Sequence, residues 1–354
     1  LVLSMLAAEG EETPVPFETV VETVIEHDDG EYLWFHPRVA AIPGAGKGDA
    51  PAVLMTLQKH LQVSDFYSGL YAMYSEDLGK TWIGPIEIPE LAWRDGPENS
   101  IRAVCDVTPG YHAPTKKVLA IGAQIYYSPK GKQIEIVERA DQTAYAVYDP
   151  GNRSWTGWRV LEMPDAPKFN CSRNACAQWL VEEDGSLLLP LYYAENTGSD
   201  FSVTVARCHF DGETLTYAQH GTEMTVPGGR GLCEPSLARY AGRYFLTLRN
   251  DALGYVTSSQ DGLHFDPITP WHFDDGTELG SYNTQQHWLN HDKGLFLVYT
   301  RRGADNDHVF RHRAPLFIAQ VDPETLRVLR ATERVLIPGR GATLGNFGAE
   351  AITA

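Results

Sequence analysis

The sequence predicts an all-β fold, and three features of the chain carry this prediction. Convincing long helical patterns are absent, and short β-rich runs dominate instead. Glycine (32 residues) and proline (22 residues) are scattered along the chain, as expected where turns join many short strands. An aspartate-containing turn recurs after several of these runs, at a spacing of about 50 to 70 residues that suits one propeller blade.

The predicted strands are apolar runs bounded by turn signals such as Asp184-Gly185 and Ala241-Gly242. Several of them are followed by a second strand and then by the aspartate turn. The clearest runs are Ala52–Leu57, Lys117–Ile121, Ser186–Leu191, Arg243–Leu248 and Gly294–Tyr299.

The most complete recurring turn, Ser75–Trp82, matches the Asp-box pattern S-x-D-x-G-x-T-W at every fixed position. Its aspartate can accept hydrogen bonds from backbone N–H groups of the same turn, and its glycine can take a positive φ. At about 60 residues per blade, a chain of this length holds about six blades. We therefore predict a six-bladed β-propeller with Asp-box hairpin turns, with a β-sandwich as the alternative. The less complete copies of the turn are Ser259–Phe265, Asp149-Pro150-Gly151, Asp211-Gly212 and Asp322-Pro323.

No internal linker is visible, so residues 1–354 are predicted to form a single domain. The last predicted blade is short of strands, and either the N-terminal segment closes it or the chain is truncated. The apolar opening Leu1–Ala8 is compatible with the tail of a secretion signal, which favours a secreted or periplasmic protein, and with a first strand. The compartment stays open.

The charge of the chain excludes several classes of partner. A formal net charge of −17 repels phosphate backbones and anionic membrane surfaces, so neither nucleic acid nor a membrane is a predicted partner. An anionic substrate would need a local cluster of arginines. The five cysteines include no CxxC pair, and the histidines lie at no metal-ligand spacing. We predict no metal and no cofactor, and the oligomeric state stays open.

Arginines and acidic residues follow one another in a recognisable order. Arg38 lies in Phe35–Ala40, Asp65 follows it, and Glu234 precedes Arg249 by one hairpin. Together with the Asp-box turns, this order resembles the sialidase superfamily over about Phe35 to Phe347. Members of that family hold a substrate carboxylate with three arginines, use an aspartate as acid/base, and attack with a tyrosine that a glutamate activates.

The resemblance implies roles for the matching positions. Asp65 would be the acid/base and Glu234 a catalytic acidic residue, while Arg38 and Arg249 would be two arms of the clamp. The third arm would be Arg313, with Arg311 and then Arg301 as alternatives, because a strand over Phe310–Ile318 would put Arg311 and Arg313 on one face. The nucleophile departs from the family pattern, since Phe347 stands where a tyrosine is expected.

A propeller without that tyrosine needs another catalyst, and histidine changes its protonation near neutral pH. The candidates are His36, His60 and His112, with Tyr67, Tyr111 and Tyr126 as possible partners. The segment Tyr282–Trp288 mixes aromatic and amide side chains that suit sugar binding, and it contributes Tyr282, Gln286 and His287.

The predicted function is that of a sialidase-like glycoside hydrolase acting on an acidic oligosaccharide or polysaccharide. Two alternatives stay open. The first is a lyase or a non-sialidase glycosidase that uses histidine, tyrosine and arginine on uronic-acid glycans. The second is a propeller that binds glycans without cleaving them.

Overall fold

The computed structural model describes residues 14–61, 64–134, 141–198 and 200–353, and this part of the chain is built almost entirely of β-strands. It contains 24 strands and no α-helix. Leu1–Ala8, discussed above as a secretion signal or first strand, lies outside the described residues. The helical elements of the described part are short 3₁₀ turns at Pro89–Leu91, Pro97–Asn99, Pro167–Phe169, Phe310–His312 and Arg330–Thr332.

The strands group into five antiparallel meanders along the described chain. The first contains β1 (Leu33–Ile42), β2 (Ala52–His60), β3 (Tyr67–Ser75) and β4 (Ile83–Glu87). After β5 (Arg94–Asp95), the second contains β6 (Ile101–His112), β7 (Lys117–Tyr127), β8 (Gln142–Asp149), β9 (Ser154–Trp155) and β10 (Arg159–Val160). After β11 (Cys171–Arg173), the third contains β12 (Leu180–Val181), β13 (Leu187–Ala194), β14 (Ser202–Phe210) and β15 (Leu215–His220).

The last two meanders complete the described sheets. The fourth contains β16 (Cys233–Tyr240), β17 (Arg243–Arg249), β18 (Tyr255–Ser259) and β19 (Thr269–Pro270). The fifth contains β20 (His287–His291), β21 (Gly294–Tyr299), β22 (Leu316–Asp322), β23 (Arg327–Val328) and β24 (Arg334–Ile337). Short β11 joins the second and third meanders, because it pairs antiparallel with β13 and parallel with β8.

The first strand of each meander contacts a strand of the meander that is next to it in chain order. β1 contacts β6, β6 contacts β12, and β16 contacts both β13 and β20. Apolar side chains from neighbouring meanders share the same clusters, so both faces of a sheet are buried. One cluster joins Leu54 of the first meander to Ala120 and Tyr148 of the second, and another joins Phe245 of the fourth to Trp288 of the fifth.

The five runs predicted as strands are confirmed, because each coincides with or lies within one residue of an observed strand. The predicted strand over Phe310–Ile318 is wrong in its first half. Residues Phe310–His312 form a 3₁₀ turn, and β22 begins only at Leu316. Arg311 and His312 both have φ of 53°, a left-handed conformation that cannot continue a strand. The argument that alternation puts Arg311 and Arg313 on one face therefore fails.

Each of the five predicted aspartate turns lies between the third and fourth strands of one meander. In the first, Oδ1 of Asp77 accepts a hydrogen bond from the backbone N–H of Thr81 at 2.8 Å, and the Trp82 ring nitrogen donates to the Gly79 carbonyl. The less complete turns keep the aspartate contact to a backbone N–H, at Asp149, Asp211, Asp261 and Asp322.

The terminal segments pack against the first and fifth meanders. The backbone N–H of Val15 donates to Gln320, and Phe17 contacts the ring of Phe296. Near the other end, Gly348 lies against Arg38. No helix in the described part of the chain is long and apolar enough to cross a membrane.

Candidate functional site

The first strands of three meanders carry the same β-bulge. In β1, β6 and β16, two residues face a single residue of the partner strand. The first residue of each bulge has a positive φ: 54° at His36, 55° at Asp106 and 42° at Glu234. Cys176, just before β12, has a φ of 54°. Non-glycine residues with positive φ are uncommon and cluster at functional sites.

All four of these left-handed residues line one cavity of about 210 Å³. The bulges matter because they interrupt the alternation of the strand and re-aim a side chain. The cavity wall contains three carboxylates and five arginines. Its polar lining comprises His36, Asp65, Tyr67, Asp106, Gln133, Arg173, Cys176, Tyr192, Arg230, Glu234, Arg249, Arg311, Arg313 and Asn346.

Three of the predicted clamp arginines lie on this wall with different partners. Arg249 donates to Glu234 and, at 2.7 Å, to the side chain of Asn283. Arg313 donates to the hydroxyl of Thr284 and to the Asn283 carbonyl, both of which are neutral. Arg311 forms no ion pair with the described residues. Two arginines of this site thus lack a carboxylate partner in the described part of the chain.

The environment of Arg313 is unfavourable to its charge. Burial, and then the positive charge of Arg249, lower the pKa of Arg313 to about 10. An anion in the cavity would relieve both effects, because it would compensate the guanidinium charge and replace its lost hydration. This part of the cavity is therefore suited to bind a carboxylate.

Arg38, the first predicted clamp arginine, lies behind the wall. Its side chain is 2% exposed, does not line the cavity, and donates to Oε1 of Gln285 at 3.0 Å. Its Nε and Nη1 atoms have no hydrogen-bond partner among the described residues. Its charge helps to hold the pKa of Asp106 below the ordinary value, so it acts on the cavity through that carboxylate.

Asp65, the predicted acid/base, lies on the wall beside a tyrosine. The hydroxyl of Tyr67 donates to Oδ1 of Asp65 at 3.2 Å. Burial, followed by the charges of Asp106 and Asp65, raises the pKa of Tyr67 well above its ordinary value. Tyr67 therefore keeps its proton at neutral pH and acts as a hydrogen-bond donor.

His36, Asp106 and Cys176 form a compact group from three different meanders. Their potential ligand atoms all lie within 4.8 Å of one another. The Nε2 atom of His36 is 2.9 Å from Oδ1 of Asp106, but that oxygen has no partner in hydrogen-bonding geometry. Burial acts to raise the pKa of Asp106, yet His36, Arg38 and Cys176 together hold it below its ordinary value.

The other two predicted catalytic histidines are placed differently. His60 packs against Phe35 and Tyr67 next to the cavity, and burial lowers its pKa. His112 is buried outside the cavity, where its ring nitrogens are hydrogen-bonded to Thr115 and the Gly185 carbonyl. His112 therefore lies away from this cavity, because β6 continues past its bulge and carries this residue to the hairpin with β7.

The predicted sugar-binding residues of the Tyr282–Trp288 segment do not line the cavity either. Tyr282 is hydrogen-bonded to His312 at 2.6 Å, Gln286 accepts from Thr247, and buried His287 is hydrogen-bonded to Ser236. Burial, and then Arg38, lower the pKa of His287 to about 3. The segment's amides satisfy polar groups between sheets instead of facing a ligand.

The segment Gly345–Gly348 passes between the side chains of Arg313 and Arg38. A Cβ at Gly345 would lie 2.4 Å from the side chain of Arg313, and one at Gly348 would lie 2.8 Å from that of Arg38. Between these glycines, Asn346 lines the cavity, whereas Phe347 packs on the ring of His287 in an apolar cluster. This segment therefore contributes the amide of Asn346 to the cavity wall.

Sequence reasoning missed several wall residues, and only a weak signal for some of them was present. A polar residue recurs two positions before a second polar residue in His36-Pro37-Arg38, Asp106-Val107-Thr108, Cys176-Ala177-Gln178 and Glu234-Pro235-Ser236. This spacing coincides with the bulges of β1, β6 and β16, but polar residues two positions apart are common along strands, so it does not by itself identify Asp106 or Cys176. No comparable pattern marks the remaining polar residues of the wall, which are Gln133, Arg173, Tyr192, Arg230 and Asn346.

Comparisons with known proteins identify the fold. No family model and no curated protein sequence matches the chain. Solved structures do match. A Hadza microbial sialidase has a TM-score of 0.60 at 15% identity, over 86% of this chain and 59% of its own. The NanB sialidase of Streptococcus pneumoniae has a TM-score of 0.55 at 13% identity, over 89% and 63%.

A third match is the Trypanosoma rangeli sialidase in complex with the inhibitor DANA. It has a TM-score of 0.54 at 15% identity, over 82% of this chain and 47% of its own. The chain therefore spans about half to two thirds of the length of these sialidases. It shares the fold of these sialidases at 13–15% sequence identity.

Proposed function

We propose that this protein is a glycoside hydrolase whose cavity binds a sugar bearing a carboxylate. The observation that carries the proposal is the guanidinium of Arg313, which is hydrogen-bonded only to neutral groups among the described residues. It shares the cavity with Arg249, Arg311 and the acidic residues Asp65 and Glu234. A chain with a net charge of −17 would otherwise repel such a sugar.

Arg313 and Arg311 hold the substrate carboxylate. A guanidinium matches a carboxylate with two parallel hydrogen bonds, and each charge-assisted bond contributes about 1.5–3 kcal/mol. Arg249 donates a hydrogen bond to Glu234 and thereby fixes the position of that carboxylate. The adjoining cavity of about 290 Å³ shares Arg173, Tyr192 and Glu234 with the first, and it offers space for the rest of the glycan.

Asp65 and Glu234 supply the acid–base chemistry of bond cleavage. Glycoside hydrolysis needs one group that protonates the leaving oxygen and one that attacks or activates water. Asp65, which accepts a hydrogen bond from Tyr67, is the proton donor, and Glu234, which lines the same cavity, attacks or activates water. Phe347 packs away from the cavity, so cleavage would not use a tyrosine nucleophile from that position.

A second candidate is a lyase acting on uronic-acid glycans, and one observation favours it. The ring of His36 contacts that of Tyr67 with centroids 4.6 Å apart, beside the clamp arginines. A lyase would use a histidine or a tyrosine to abstract the proton next to the carboxylate, while an arginine neutralises that carboxylate. A third outcome is binding without cleavage.

The sialidase fold also supports a finer description of the architecture. The five described meanders would be blades of a six-bladed β-propeller, and the turns at Asp77, Asp149, Asp211, Asp261 and Asp322 would be its Asp-boxes. The position of these aspartates, between the third and fourth strands of every meander, supports this assignment. The segments around Val15 and Gly348 would lie at the junction between the first and fifth meanders.

The test is a substrate screen with the purified chain. Sialosides and uronic-acid oligosaccharides are incubated with the protein, new reducing ends are measured, and absorbance near 235 nm detects the unsaturated product that only a lyase forms. Reducing ends without this absorbance support the hydrolase. Rising absorbance supports the lyase, and binding without either product supports the non-catalytic alternative.

An Arg313→Ala variant connects the result to the cavity. Binding of the acidic sugar should weaken by at least tenfold, while binding should stay unchanged in Arg159→Ala, which removes an exposed arginine bonded to Glu213 and Thr214. Equal affinities of the Arg313→Ala variant and the unmodified protein would rule out the proposed clamp.

A further inference from the structure

We propose that His36, Asp106 and Cys176 bind a zinc ion at the wall of the cavity. The three residues come from β1, β6 and the segment before β12, so three separate parts of the chain bring one potential ligand each to the same place. The proposal does not rest on the proposed function, because binding of a metal has its own measurements.

The separations of the three candidate atoms are close to those that a shared zinc ion requires. Zinc–ligand bonds of about 2.0–2.3 Å in a tetrahedral arrangement place ligand atoms roughly 3.3–3.8 Å apart. The three candidate atoms lie within 4.8 Å of one another, and the closest pair lies 2.9 Å apart. Small side-chain movements would therefore bring all three to ligand distance.

The polar atoms of the group are incompletely satisfied. His36 is 3% exposed and its Nδ1 has no partner, and Oδ1 of Asp106 also has no partner in hydrogen-bonding geometry, within the described residues. Buried polar atoms without partners are rare and call for an explanation such as an ion. A bound cation would satisfy the carboxylate oxygen directly and would fix the orientation of the imidazole.

The donor set selects the metal. A thiolate and an imidazole favour Zn²⁺ over Mg²⁺ or Ca²⁺, which prefer oxygen ligands. Metal binding would displace the thiol proton of Cys176. The resulting thiolate and the carboxylate of Asp106 would together carry two negative charges, which would balance the ion despite the nearby charge of Arg38. Three protein ligands leave a fourth position, as in sites that bind a water or a substrate. All three ligands line the cavity, so this position is next to the arginines.

Zinc binding would change the role of His36. An imidazole nitrogen that binds a metal cannot also accept a proton, so His36 would be a ligand instead of the general base of the lyase alternative.

The test uses the purified full chain and Zn²⁺ or Co²⁺ as probes. After dialysis against Zn²⁺ and then metal-free buffer, the protein should retain about one equivalent of zinc by elemental analysis. Replacement by Co²⁺ should produce thiolate-to-cobalt charge-transfer absorption. That absorption should disappear in Cys176→Ser and persist in the matched control Cys208→Ser, which changes another buried free cysteine outside the cavity.

Zinc retention and cobalt absorption are measured on the unmodified protein, so they test the zinc site even if a variant fails to fold. Substoichiometric zinc, or cobalt absorption that survives in Cys176→Ser, would overturn the proposal. Binding of an acidic sugar to chelator-treated protein is measured in parallel. A protein that binds the sugar but retains no zinc contradicts only the zinc site. A protein that retains zinc but does not bind the sugar contradicts only the sugar site.

Discussion

Glu234 and Arg249 form an ion pair across two adjacent strands at the wall of the cavity. The bulge in β16 aims Glu234 inward, and Arg249 ends the neighbouring strand β17. Burial acts to lower the pKa of Arg249, but the charge and hydrogen bond of Glu234 outweigh it and hold that pKa above its ordinary value. The arginine is thereby kept charged in a nearly dry position.

Removing the carboxylate of this pair should destabilise the protein. The variant Glu234→Ala leaves the guanidinium of Arg249 buried without a compensating charge, which costs about 3–5 kcal/mol in comparable cases. We expect the free energy of unfolding in urea to fall by this amount. The control is Glu76→Ala, which breaks the exposed pair with Arg153 and should cost about 0–1 kcal/mol. Similar losses in both variants would contradict this account of the pair.

The affinity for an acidic sugar should depend on pH through Arg313. Its pKa is lowered to about 10 in the free protein, by burial and by Arg249. A bound carboxylate favours the charged form, so the complex holds the proton more tightly than the free protein does. Affinity measured by calorimetry should therefore fall as the pH rises through about 10, by up to about tenfold per pH unit.

Two comparisons show whether this pH dependence belongs to Arg313. The Arg313→Ala variant should bind weakly at every pH and lose the decline near pH 10. A neutral sugar of the same size should show no such decline with the unmodified protein. A decline that persists in the variant would assign the effect to another group.

Restoring a tyrosine at position 347 should not create sialidase chemistry. Phe347 is 9% exposed and packs against the ring of His287 and other apolar groups, so a hydroxyl added there would be buried. We expect Phe347→Tyr to lower the free energy of unfolding by about 1–3 kcal/mol and to give no new cleavage of a sialoside. Phe310→Tyr, at a residue that is 64% exposed, should leave stability unchanged. A gain of sialoside cleavage in Phe347→Tyr would show that the ring can turn into the cavity.

The histidines His36 and His112 should respond differently to substitution. In the lyase alternative His36 is a candidate general base at the cavity wall, so under that alternative His36→Ala should reduce turnover of the substrate by about 10²–10⁴-fold while the protein stays folded. His112 is hydrogen-bonded at both ring nitrogens away from the cavity. His112→Ala should lower stability by about 1–3 kcal/mol and leave kcat/KM unchanged. Equal losses of turnover in the two variants would contradict the placement of the site.

The local features of this chain were predictable because they depend on neighbouring residues. Strands such as Gly294–Tyr299 follow from their apolar composition and their bounding turns. The aspartate turns follow from side chains that bond to their own backbone, as at Asp77 and Asp261. The pairing of Glu234 with Arg249 was predicted through the resemblance to sialidases, and one hairpin is enough to bring these two residues together.

The composition of the cavity was decided only by the tertiary structure. Asp106 and Cys176 reach it because two separate segments place left-handed residues at corresponding positions, and a positive φ cannot be deduced from residue type at an aspartate or a cysteine. Arg38 was expected on the wall, but the packing of Gly348 and Gln285 holds it behind that wall. Which polar side chains face a ligand depends on how the meanders pack around a common centre, and that packing is a long-range property of the chain.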